Sequence, residues 1–108
     1  MARRVAIVGA GITGLAAAYY LEQRARTAGL ALEVTLIEAA PRIGGKIITD
    51  VDRDFVVEGG PDSFVTDKPW CLALCHELGL SDRLIPNNQL ENKRSEEHTS
   101  ELQSPCNL

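Results

Sequence analysis

A chain of 108 residues has room for one small domain or for part of a larger one, and cannot hold both a complete cofactor domain and a complete substrate domain. Its composition, 44% apolar and 24% charged, is that of a globular protein and excludes disorder and fibrous repeats. With a formal net charge of -4 and no cluster of Lys and Arg, nothing in it calls for nucleic acid as a partner.

Arg3 and Arg4 followed by the uncharged residues 5–21 imitate a secretory signal. Three glycines at fixed spacing and a helical second half explain that run better, and no convincing small-x-small cleavage site follows it, so a cytoplasmic location is expected. Residues 5–8, VAIV, read as a β-branched strand buried on both faces of a parallel sheet. Gly9-Ala10-Gly11-Ile12-Thr13-Gly14 comes next, and then LAAAYYLE, a strongly helical composition.

The order strand, glycine turn, helix gives the spacing its meaning. Gly9 permits the tight turn, Gly11 removes the side chain that would block a pyrophosphate, and Gly14 allows close packing of helix on sheet. The amides of the first turn, including those of Ile12 and Thr13, and the helix dipole then face the phosphate charge. The helix should end near Gly29, before a second strand over residues 32–38, LEVTLIE. Glu38 closes that strand where such folds place an acid against the adenosine ribose, which favours FAD or NAD over NADP. The expected class is therefore α/β, the N-terminal part of a Rossmann-like dinucleotide-binding βαβ domain.

Beyond Glu38, Ala39-Ala40-Pro41-Arg42-Ile43-Gly44-Gly45-Lys46 sets a basic residue and a glycine pair where the chain can double back over the pyrophosphate. Adjacent glycines allow close backbone approach, and Arg42 or Lys46 can offset phosphate charge. Residues 46–50 and 55–58 alternate around the acidic turn 51–54 as a β-hairpin. The second strand runs into EGGPDSF, residues 58–64. Asp67 is placed to cap a helix over residues 70–78 ended by Gly79, with a strand or loop over 80–88. Trp70 is expected to pack at the helix start rather than line a ligand. Cys71, Cys75 and Cys106 form no metal pattern; Cys71 and Cys75, four apart on one helix face, are expected to be small buried apolar residues. His76 is expected on the helix surface. No residue presents itself as a general base, so the catalytic residues are unknown.

The pair GAGITGLAAAYYLE and IEAAPRIGGKI resembles the superfamily of FAD-containing amine oxidases, phytoene desaturases and protoporphyrinogen oxidases. The resemblance implies FAD as cofactor, held by Gly9, Gly11, Ile12, Thr13, Gly14, Glu38, Ala39, Arg42, Gly44, Gly45 and Lys46. It further implies that the loop carrying Gly60, Pro61 and Ser63 lies against the isoalloxazine ring, although the family more often shows a single glycine where Gly59 and Gly60 stand. GGPDSF with GGKI is most similar to the oxygen-dependent protoporphyrinogen and coproporphyrinogen III oxidases of haem synthesis, and closer to the bacterial coproporphyrinogen type. The resemblance thus implies a porphyrinogen substrate, molecular oxygen as acceptor, and peripheral membrane contact through regions beyond this chain. Another amine oxidase or carotenoid desaturase, or a non-catalytic truncated FAD-binding fragment, remains open. The likeness runs from about residue 5 to 88. Residues 94–104, RSEEHTSELQS, coincide with the conceptual translation of a common sequencing adapter. Residues 1–93 are therefore expected to be the N-terminal part of the FAD-binding domain and 94–108 a non-native tail.

Overall fold

A computed structural model of the chain describes residues 1–86, so the expectation for residues 94–108 lies outside the described residues. The described residues fall into two compact units, Met1–Pro61 and a second that begins at Asp62.

In the first unit, strand β1 (Arg3–Val8) pairs in parallel with β2 (Leu32–Ile37), in register from Arg3 opposite Leu32 to Val8 opposite Ile37. Helix α1 (Ile12–Thr27) is the crossover and packs against both strands. A parallel pair needs such a connection because the chain must return to the same end of the sheet. Val5, Ile7, Leu32, Val34 and Leu36 alternate as half-buried residues, while Ala6, Val8, Thr35 and Ile37 are exposed. The expectation of a strand buried on both faces is corrected here: α1 covers one face, and among the described residues no element covers the other. Val8 is 84% exposed.

The helix ends as its residues dictate. Gly29 takes φ 65°, its N–H donates to Arg26 at 3.2 Å, and the Leu30 N–H donates to the Ala25 carbonyl at 2.9 Å. These two bonds make a Schellman motif and satisfy carbonyls that the last turn leaves open.

The hairpin forms β3 (Thr49–Asp52) and β4 (Phe55–Glu58), antiparallel, with Thr49 opposite Glu58 and Asp52 opposite Phe55. Its turn is tighter than expected: Val51 and Asp52 belong to the strand, because Arg53 adopts φ 54° and lets two residues close the loop. The Thr49 hydroxyl donates to Glu58 Oε2 at 2.7 Å across the strands.

In the second unit, α2 (Pro69–Glu77) is followed by a 3-10 turn, Ser81–Arg83, where the sequence suggested strand or loop. Lys68, not Asp67, is the N-cap, and no side chain bonds the helix start. Pro69 opens the helix instead, its fixed φ suiting a first-turn position that has no amide partner. Gly79, at φ 71°, repeats the Schellman ending: its N–H donates to His76 and that of Leu80 to Cys75.

Candidate functional site

The site predicted from the glycine spacing is built where β1, α1 and the loop after β2 meet. Gly9 turns the chain out of β1, with its N–H on the Ile37 carbonyl at 2.7 Å. Ala10 follows and is fully buried. Gly11 is the N-cap of α1; no side chain caps the helix and its first turn holds no acid. The Leu15 N–H makes the first helical bond, to the Gly11 carbonyl at 3.0 Å, so the amides of Ile12, Thr13 and Gly14 come before the bonded ladder. Ile12 and Thr13 are exposed. This end of the helix carries the positive side of the backbone dipole with no acidic side chain to offset it.

Gly11 and Gly14 prove to do different work. A Cβ on Gly14 would drive into the carbonyl of Gly9 and stand 3.5 Å from Ile7 Cγ2, so its bareness lets helix and strand approach. A Cβ on Gly11 would have Gly45 Cα, at 3.9 Å, as its nearest neighbour, so its bareness keeps space open.

Glu38 stands one residue beyond β2 rather than within it. Its Oε2 accepts the Ala10 N–H at 2.6 Å and its Oε1 accepts the Ala40 N–H at 3.1 Å. The carboxyl lies below its ordinary value, first through the Ala10 amide and then the Ala40 amide, against an opposing desolvation, with Ala39 and the Arg42 charge adding less. A carboxylate has about four acceptor positions, so capacity remains for two further donors such as a vicinal diol. Ala39, between Glu38 and Ala40, is exposed.

The loop over residues 42–46 lies against the glycine turn. The Gly44 N–H donates to the Ala10 carbonyl at 2.7 Å, and a Cβ on Gly45 would stand 3.0 Å from Gly11 Cα. Gly44 and Gly45 take φ 112° and 60°, which side chains disfavour. The guanidinium of Arg42 donates to the carbonyls of Gly45 at 2.5 Å, Ile43 at 3.2 Å and Ile47 at 3.4 Å. Lys46 is exposed.

The structure therefore brings together Gly9, Gly11, Ile12, Thr13, Gly14, Glu38, Ala39, Arg42, Gly44, Gly45 and Lys46. Gly60 joins them through the base of the hairpin: its Cβ position falls on the Lys46 carbonyl, and the neighbouring Gly59 N–H donates to Ile48 at 2.8 Å. Pro61 ends this unit, half-buried. Ser63 belongs to the second unit, where its hydroxyl donates to Asp62 Oδ1 at 3.2 Å. Ala10 was missed from the sequence, although its amide and carbonyl join the strand end, Glu38 and the second loop. Its small size between two glycines was the available signal.

Two expectations in the second unit are revised and a third holds. Trp70 is 72% exposed, not packed, because it sits at the start of a helix with no fully buried residue. Cys71 and Cys75 are half-buried rather than buried, and burial followed by the neighbouring Cys75 pushes the Cys71 thiol up. His76 is exposed as expected, with Nδ1 at 3.2 Å from the Ser81 hydroxyl.

Residues 12–105 match the family model described as flavin containing amine oxidoreductase. The chain belongs to this family. The flavin of the family agrees with the FAD expected from the two loops. The match runs well into residues 94–108. Among relatives, the coproporphyrinogen III oxidase of Bacillus subtilis is 47% identical over 85 residues, which is 79% of this chain and 18% of that protein. A crystal structure from Exiguobacterium sp. 255-15, provisionally described as a protoporphyrinogen oxidase, is 44% identical at a TM-score of 0.74 and covers 82% of this chain and 19% of that one. A triple-mutant putrescine oxidase is 45% identical at a TM-score of 0.56, over 71% of this chain and 16% of the other. The chain thus spans less than a fifth of the length of each of these relatives.

Proposed function

We propose that this chain is the FAD-anchoring part of an oxidase that converts a porphyrinogen, coproporphyrinogen III or protoporphyrinogen IX, to the porphyrin with molecular oxygen, in the cytoplasm. The observation that carries the anchoring role is the crossing of two loops at Ala10: Gly44 donates to its carbonyl and Glu38 accepts its amide. The residues present fit a dinucleotide, because the space beside Gly11 is open and the adjoining helix end is uncapped and positive.

In this reading Gly11, Gly45 and the first-turn amides of α1 receive the pyrophosphate, Lys46 offsets its charge, and Glu38 accepts from the adenosine ribose with the capacity that Ala10 and Ala40 leave. Gly60, Pro61 and Ser63 are proposed for the loop beside the ring. Bound FAD would supply the redox chemistry, a two-electron oxidation of the substrate with oxygen as final acceptor. The protein's share is orientation of the cofactor and fixed donors for its charge. The substrate class is supported by the porphyrinogen oxidases among the relatives. The putrescine oxidase likeness favours a second reading, oxidation of an amine.

Two experiments test this. Titration of the chain with FAD should show saturable binding that Gly11→Val abolishes; equal binding by the variant would remove the cradle assignment. A protein of full family length carrying these residues should oxidise coproporphyrinogen III or protoporphyrinogen IX and leave putrescine unchanged, and the reverse preference would establish the second reading. Residues 94–108 are proposed to be non-native, which genomic sequence across codons 88–108 would refute by reproducing them.

A further inference from the structure

We infer that Arg42 is a positioning residue that clamps the second phosphate loop from within, and not itself a ligand of the cofactor's phosphates. Two guanidinium nitrogens reach three backbone carbonyls: Nη2 that of Gly45 at 2.5 Å, Nη1 those of Ile43 at 3.2 Å and Ile47 at 3.4 Å. All belong to the loop that holds Gly44 and Gly45 in positive-φ conformations. The loop is also closed within itself by the Ile47 N–H on the Gly44 carbonyl at 3.1 Å, and tied outward by the Gly44 N–H on the Ala10 carbonyl at 2.7 Å. Two adjacent glycines would otherwise sample many conformations, and ordering them on binding would cost affinity. A planar fork of fixed donors suits three carbonyls around a turn, while a flexible ammonium does not reproduce that geometry. The clamp presets Gly45 against Gly11 before any ligand arrives and leaves Lys46, exposed at the end of the same loop, to meet anionic charge.

This inference rests on the anchoring role proposed above, and its test separates the two. Hydrogen exchange of the ligand-free chain, followed by mass spectrometry, is compared for the parent, Arg42→Lys, Arg42→Gln and Lys46→Gln. Both Arg42 variants should exchange faster, by about tenfold or more, in peptides spanning residues 42–47 while β1 and α1 stay protected, and Lys46→Gln should match the parent. Titration with ADP should then show Arg42→Lys weakened as much as Arg42→Gln, with the salt dependence of the parent kept by both. Lys46→Gln should flatten that salt dependence. Arg42→Lys that binds ADP as the parent does, with unchanged exchange, would overturn the clamp. Faster exchange spread through β1 and α1 would also overturn it, in favour of a general role in stability. If the parent itself fails to bind ADP, the anchoring role falls, and the exchange comparison still decides the clamp.

Discussion

Gly11 and Gly14 look alike in a glycine motif and should behave oppositely when substituted. Gly14→Ala sets a methyl group against the Gly9 carbonyl and Ile7, and should destabilise the first unit by about 1–3 kcal/mol, read as a lower denaturant midpoint. Gly11→Ala meets no protein atom closer than Gly45 Cα at 3.9 Å, so the fold should persist while the space for a ligand shrinks. Glu38 gives a pH prediction at the same scale. Its carboxyl lies below the ordinary value of 4.5, chiefly because the charged form accepts the Ala10 amide. A group depressed in the folded state contributes order above its unfolded value and loses it as pH falls through the folded one. The Ala10 amide should therefore lose protection below pH 4.5, and Glu38→Gln should remove that dependence. Retained protection under acid would show that the amide is held by something else. The role of Glu38 as a residue at the end of the second strand was legible from sequence. Its bond to Ala10 was not, because the partners are 28 residues apart and no local pattern encodes that pairing.

The elements were read with uneven success, for physical reasons that differ. α1 and β2 follow from residue type and a glycine stop, and the observed bounds, Ile12–Thr27 and Leu32–Ile37, fall close to those expected. The hairpin turn was read too wide because Val51 and Asp52 suit either strand or turn by composition, while pairing across to Val56 and Phe55 places them in the strand. Asp67 had the chemistry of a cap, but the helix opens at Pro69, so the N-cap falls one residue later, on Lys68. At the base of the hairpin, Gly60→Ala should be poorly tolerated, since its methyl group would fall on the Lys46 carbonyl. Loss of the Gly59 to Ile48 bond, seen as faster amide exchange at Gly59, should accompany a weakened hairpin, with β1 and β2 unaffected.

At the scale of the molecule, Ala10 and Ala25 are the only buried apolar residues among those described. Val8, Phe55, Val56, Trp70 and Ile85 are each more than half exposed. So little burial stabilises weakly, and exposed apolar surface promotes association. The isolated chain should bind an apolar dye such as ANS in native buffer and scatter light increasingly with concentration; a monodisperse monomer that excludes the dye would contradict this. No helix among the described residues is long and apolar enough to cross a membrane. By itself the sequence determined the βαβ order, since glycine spacing, strand composition and a terminal acid are local properties of the chain, and it carried the FAD expectation and the flavin oxidoreductase family through the resemblance of its two loop stretches. Only the tertiary structure decided that Arg42 turns inward on its own loop, that Ala10 joins the two loops, and that β1 is covered on one face, because each depends on which distant backbone groups come within bonding or packing distance.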